Sequence, residues 1–64
     1  MNVFAVDWTD LKAVKRVADL MASPREPQSV IKHDSRPNYN ITHTRRRDLI
    51  DVPGVVEIYV TRGT

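Results

Sequence analysis

Arg45, Arg46 and Arg47 form the densest group of side chains able to bind a ligand. Guanidinium groups bind phosphate and carboxylate oxygens through paired hydrogen bonds, and a local cationic cluster attracts polyanions. The alternative is a solvated run that protects a strand end from aggregation. With neighbouring basic and ring side chains, the run predicts a binding surface on the 32–47 hairpin, made of Lys32, Arg36, Tyr39, His43, Arg45, Arg46 and Arg47.

The two histidines raise a catalytic hypothesis. If strands pair across the turn at 34–38, His33 and His43 could share one sheet face, and with Arg45 they would supply a base, an acid and a phosphate clamp for RNA cleavage. The alternative is a pair of packed histidines, because each alternates in phase with an isoleucine of its strand. Two histidines and one aspartate match no metal-ligand spacing, so we expect no metal or cofactor, and we expect no enzyme.

The net positive charge is confined to one part of the chain. Residues 1–34 balance their acidic and basic side chains, residues 35–47 hold four arginines and no acid, and residues 48–64 are net acidic. The overall charge of +2 and only four aromatic residues are low for a dedicated nucleic-acid module. This distribution favours an acidic protein or nucleoprotein surface as the partner, with nucleic acid as the alternative. The basic helix positions Lys12, Lys15 and Arg16 are typical of any solvated outer face.

The elements that position these residues follow from local patterns. Apolar residues at three- and four-residue spacing predict an amphipathic helix, with Asp7 as its N-cap. Val52-Pro53-Gly54 predicts a type II turn. The result is an α+β fold in the order β-α-β-β-β, one helix packed on a small, mainly antiparallel sheet, with strands at 2–6, 29–34, 39–46 and 55–61 and a helix at 8–22.

Side-chain alternation predicts the faces of the strands. Tyr39, Ile41 and His43 point one way, which suits a strand with one wet face. In the last strand Val56, Ile58 and Val60 share a face. We expect the last three strands to form a meander and the last strand to lie at the sheet centre, because both of its faces carry apolar residues. Alternatively, the apolar residues on both faces of this strand indicate a homodimer interface or a surface that binds a partner.

Size and composition set further bounds. A chain of 64 residues without cysteine predicts a single domain, residues 1–64, with a thin core and no disulfide. The start of the sequence has no basic segment and too short an apolar run for a signal or membrane helix, so we expect a cytoplasmic protein with no membrane partner.

These features predict a small non-enzymatic regulator or inhibitor that binds a partner protein through the arginine-rich hairpin and a sheet edge. Phages and mobile elements encode small proteins of this kind, and by analogy of size and type we expect such an origin here. The alternative function is nucleic-acid binding by the same hairpin, and a third is the histidine-dependent nuclease.

Overall fold

In the computed structural model, residues 5–62 are described, and they fold as two helices on the two sides of a three-stranded antiparallel sheet. The predicted α+β class is confirmed. Residues 2–4 of the predicted first strand lie outside the described residues, while Ala5 and Val6 are not in a strand. The elements in chain order are α1 (Leu11–Met21), β1 (Gln28–His33), β2 (Tyr39–His43), α2 (Arg47–Ile50) and β3 (Val55–Val60).

Helix α1 begins one turn later than the sequence predicts, and its N-cap is Asp10 rather than Asp7. Asp10 accepts a hydrogen bond from the backbone N–H of Lys12 at 3.1 Å. The Asp7 carboxylate instead accepts from the backbone N–H (2.9 Å) and hydroxyl (2.6 Å) of Thr9. These bonds, with the hydroxyl contributing most, lower the pKa of Asp7. Because a local turn occupies its side chain, Asp7 does not cap the helix.

The strand order is β2-β1-β3, so the predicted meander is wrong. The predicted central position of the last strand is also wrong, because β1 pairs antiparallel with both neighbours. The first four residues of β1 are buried, including Val30 on one face and Ile31 on the other. Residues 44–54 link β2 to β3 and are long enough to carry the chain past β1.

A β-bulge in β3 changes which side chains share a face. Tyr59 pairs with Val30, but Glu57 pairs with the next residue of β1, so Ile58 is an extra residue. Val56 therefore lies on the α1 side of the sheet, whereas Val60 lies on the opposite side. The predicted common face of Val56, Ile58 and Val60 is wrong for this reason.

The core lies between α1 and the sheet. Val14 and Ala18 of the helix pack against Val30 of β1, and all three side chains are fully buried. Partly buried side chains surround them, and these include Tyr39 and Ile41, which confirms the predicted inward face of β2. The side chains packed against this cluster are Trp8, Leu11, Tyr39, Ile41 and Tyr59.

Two turns lead into β3. Strand β2 ends at His43, not at Arg46 as the sequence predicts, and the chain then turns into α2. After α2, the predicted type II turn is confirmed: Gly54 has φ +88° and the N–H of Val55 donates to the carbonyl of Val52 at 3.0 Å. Glycine suits this position because other residues rarely adopt a positive φ.

Candidate functional site

The three consecutive arginines have different surroundings. Arg46 forms two parallel hydrogen bonds with the Asp48 carboxylate, at 3.0 and 2.9 Å. This hydrogen bonding is the main cause of the raised pKa of Arg46 and of the lowered pKa of Asp48. Among residues 5–62, the Arg45 side chain has neither a hydrogen bond nor an ion pair.

Arg47 is tied to the sheet and to its own loop. Its Nη2 donates to Glu57 Oε2 at 3.0 Å, and its Nε and Nη2 donate to the carbonyl of Thr44 at 3.1 and 2.9 Å. Asp51 lies 3.8 Å from Nη1. The same Glu57 oxygen accepts a 2.5 Å hydrogen bond from the hydroxyl of Ser29, which is fully buried in β1. Two of the three arginines therefore already have carboxylate partners.

The remaining basic residues of the predicted surface lie at the other end of the hairpin. Arg36 sits in the turn between β1 and β2, and Lys32 is near the end of β1. The five residues of β2 separate this end from Arg45, which at about 3.3 Å per residue is roughly 16 Å. The predicted residues thus form two separate basic groups.

The two ring side chains of the predicted surface lie on the α1 side of the sheet. Tyr39 is packed against the core, and its backbone N–H donates to the carbonyl of Trp8 at 2.8 Å. His43 is half-buried, and its Nδ1 accepts a 3.3 Å hydrogen bond from the N–H of Arg45. Packing takes up one side of Tyr39, which limits its use as a stacking platform.

The two histidines do not share a face. In the β1–β2 register His43 lies opposite Gln28, at the end of the hairpin remote from His33, and the pairing places the two imidazoles on opposite sides of the sheet. The predicted shared face is therefore wrong. The Nδ1 atom of His33 accepts from the N–H of Ser35 at 3.1 Å and lies 2.6 Å from its hydroxyl. The Asp34 carboxylate is 3.3 Å from the same nitrogen.

The basic face of α1 is partly used in packing. Lys15 Nζ lies 5.1 Å from the centre of the Tyr59 ring, a cation–π distance. The Tyr59 hydroxyl donates to Asp19 at 2.7 Å, and this bond is the main cause of the raised pKa of Tyr59. These contacts join the helix to β3.

An exposed apolar strip on β3 was not among the predicted binding residues. Val56 is 61% exposed and Ile58 is 38% exposed, and we call these two side chains the β3 strip. They line an open hollow of about 240 Å³ with Lys32, Asp34 and Gly54. The sequence did carry a signal for this strip, because residues 55–60 have apolar side chains on both faces. A strand buried at the centre of the sheet would show the same pattern.

A second hollow lies on the other side of the sheet, between the β1–β2 turn and the α2 segment. Its volume is about 440 Å³, and we call it the hairpin hollow. No sequence pattern predicted it, because it depends on where α2 crosses the sheet. It is lined by Ile31, His33, Ser35, Arg36, Asn40, Leu49, Val52 and Val55.

The part of the chain that the structure describes contains neither a cluster of metal ligands nor a helix that could span a membrane. Within residues 5–62, no three histidine or acidic side chains converge in a way that could hold a metal ion. Neither helix there has the length and apolar character needed to cross a bilayer.

Comparison with known proteins gives no family assignment: no protein-family model, curated protein sequence or solved structure matches the chain.

Proposed function

We propose that this chain is a small non-enzymatic regulator or inhibitor that binds a partner protein, and that the β3 strip is the centre of the contact. The observation that supports this is the exposure of Val56 (61%) and Ile58 (38%) side by side in one hollow. Helix α1 packs mainly on β1 and β2, so it leaves this part of the sheet uncovered. Adjacent exposed aliphatic side chains are typical of a protein-binding surface.

One cation and one anion line the hollow beside the strip. Lys32 lines the same hollow, and its amine lies 3.5 Å from the carbonyl of its neighbour His33. Asp34 is the acidic residue that lines the hollow among the described residues. An aliphatic patch with charged groups of both signs beside it suits an apolar side chain of the partner that has polar neighbours.

The ion pairs of Arg46 and Arg47 argue against the nucleic-acid alternative. A phosphate backbone would have to displace Asp48 from Arg46 and Glu57 from Arg47. Affinity for nucleic acid depends on cations that are free to neutralise phosphates, and Arg45 alone of the three has no partner among residues 5–62. This reduces the charge that the run offers to DNA or RNA.

The bulge makes addition of a partner strand to β3 unfavourable. A strand that pairs with an edge needs a regular row of backbone N–H and carbonyl groups, and the extra residue at Ile58 interrupts that row. We therefore infer that the partner meets the side chains of the strip rather than extending the sheet. This differs from the contact through a sheet edge that the sequence suggested.

The test is affinity capture from source-cell lysate, with and without nuclease, using the wild type and two matched variants. Val56→Glu places a charge in the strip, and Leu20→Glu makes the same change at an α1 residue that is 67% exposed and outside the strip. Circular dichroism of both variants checks that they fold. We expect a captured protein that withstands nuclease, is lost with Val56→Glu and is retained with Leu20→Glu.

Three results would contradict the proposal. Capture abolished by nuclease, and reduced by Arg45→Gln, would favour the nucleic-acid alternative. Equal loss with both glutamate variants would mean that the strip has no special role. Sedimentation that shows a wild-type dimer and a Val56→Glu monomer would assign the strip to a second copy of the chain instead of a different protein.

A further inference from the structure

The hairpin hollow combines an apolar surface with polar groups at one margin. Ile31 in β1 is only 8% exposed, and Val55 of β3 is half-buried beside it. Leu49 and Val52 approach from the α2 side, where they are 42% and 39% exposed. An apolar cavity with a few convergent polar groups is the usual form of a small-ligand site.

The polar margin comes from the β1–β2 hairpin and is cationic. Arg36 and Asn40 line the hollow, and among residues 5–62 neither side chain takes part in a hydrogen bond or an ion pair. The backbone N–H of Arg36 donates to the carbonyl of His33 at 3.1 Å, which holds this residue at the turn. A guanidinium group without a partner has its full hydrogen-bonding capacity for an incoming anion.

Acidic residues lie outside this hollow in the described part of the chain. Asp34, the nearest in sequence, lines the hollow on the α1 side of the sheet, where its Oδ1 would lie 2.9 Å from a Cβ added at Gly54. The residues that line the hairpin hollow therefore include an arginine and an amide but no carboxylate, and the Asp34 carboxylate beside it is 3.3 Å from Nδ1 of His33. The hollow's electrostatic character is complementary to one anionic group.

We propose that the hairpin hollow binds a carboxylate carried on an aliphatic chain, with the carboxylate on Arg36 and Asn40 and the chain against Ile31, Leu49 and Val55. The planar guanidinium matches the two oxygens of a carboxylate, and the apolar walls exclude water from the chain. A free short-chain acid and the C-terminus of a peptide that ends in an aliphatic residue share this chemistry. The proposal is independent of the function proposed for the β3 strip.

The experiment is an NMR titration of backbone amides in the full chain with hexanoate, with two probes that each lack one half of its chemistry. Hexanol has the chain without the charge, and acetate has the charge without the chain. We expect saturable shifts at the amides of Ile31 and Val55 with hexanoate, and binding at least fivefold weaker with either control. A leucine-terminated peptide and its C-terminal amide distinguish the two sources: tighter binding by the peptide acid than by hexanoate assigns the site to a peptide end, and the reverse assigns it to a free acid.

Matched arginine variants localise the contact. Arg36→Gln should weaken hexanoate binding roughly fivefold, which is the effect of losing one solvent-exposed ion pair. Arg25→Gln removes the same charge from the exposed connector before β1 and should leave binding unchanged. Val56→Glu, on the other side of the sheet, should also leave it unchanged, so this test can fail while the proposed function stands. Absence of saturable shifts, equal binding of hexanol, or equal effects of the two arginine variants would overturn the proposal.

Discussion

Glu57 is a position where a single substitution should affect stability through its hydrogen bond to a buried serine. Its carboxylate accepts from the Ser29 hydroxyl at 2.5 Å and from Arg47 Nη2 at 3.0 Å. Ser29 is fully buried, whereas the Glu57 and Arg47 side chains are 27% and 51% exposed. The three residues join the central strand, the edge strand and α2. Glu57→Ala removes the shared acceptor, while Glu57→Gln keeps an oxygen for the serine and removes the charge.

The two contacts should differ in energetic weight. A buried hydroxyl left without a partner costs about 1–3 kcal/mol. A partly exposed ion pair is screened by solvent and contributes less than about 1 kcal/mol. We therefore expect Glu57→Ala to lower the free energy of unfolding by about 2–3 kcal/mol and Glu57→Gln by about 0.5–1 kcal/mol. Since a domain of this size has a total stability of about 3–10 kcal/mol, the first loss is large.

Urea unfolding followed by the fluorescence of Trp8, the single tryptophan, provides the measurement. The decisive variant is the double substitution Ser29→Ala with Glu57→Ala. It removes the orphaned hydroxyl, so it should be about 1 kcal/mol more stable than Glu57→Ala alone. If the two alanine substitutions add, or if Glu57→Gln is as damaging as Glu57→Ala, the Ser29–Glu57 hydrogen bond is not the source of the effect and the reasoning is refuted.

Four further predictions rest on local contacts. Gly54→Ala should lower the melting temperature and cost about 1–2 kcal/mol, because φ is +88° and a neighbouring carboxylate oxygen would lie 2.9 Å from the new Cβ; an unchanged melt would contradict this. Tyr59 has a raised pKa, so its contribution to stability is complete below about pH 10 and is lost as the pH rises through the folded-state value; urea melts at alkaline pH should show this loss, and Tyr59→Phe should remove it. Asp48 has a lowered pKa, so its contribution is complete above about pH 4 and is lost as the pH falls through the folded-state value; acid melts of Asp48→Asn should show a smaller loss than the wild type. The same variant releases Arg46 and should elute from heparin at higher salt than Asp51→Asn; equal elution would contradict the role assigned to the Asp48 pair.

The helix and the strand segments could be predicted because their signals are local. The spacing of Val14, Val17 and Ala18 corresponds to the buried face of α1, and alternation places Tyr39 and Ile41 toward the core. The strand order could not be predicted in this way. It depends on β1 being buried on both sides, and its apolar content is no higher than that of β3.

The candidate site was harder to predict than the fold, since it depends on pairing between distant residues. The sequence places Arg47 next to Arg45 and Arg46, but only the register of β3 brings Glu57 to Arg47. The four-residue helix α2 also interrupts what reads as a continuous strand through the arginines. The Arg47–Glu57 pair neutralises charge that a count along the chain records as free.

The bulge at Ile58 has a practical consequence for engineering this scaffold. The register shift divides β3 into two short segments. Before residue 58 the even-numbered residue faces α1, and after it the odd-numbered residue does. A mutant library that applies one alternation rule to residues 55–60 would diversify the α1 side in one segment and the opposite side in the other. Deletion of residue 58 would join the two segments into one regular strand, in which each remaining residue keeps the side that it has now. Selections on either surface should therefore treat residues 55–57 and 59–60 as separate cassettes.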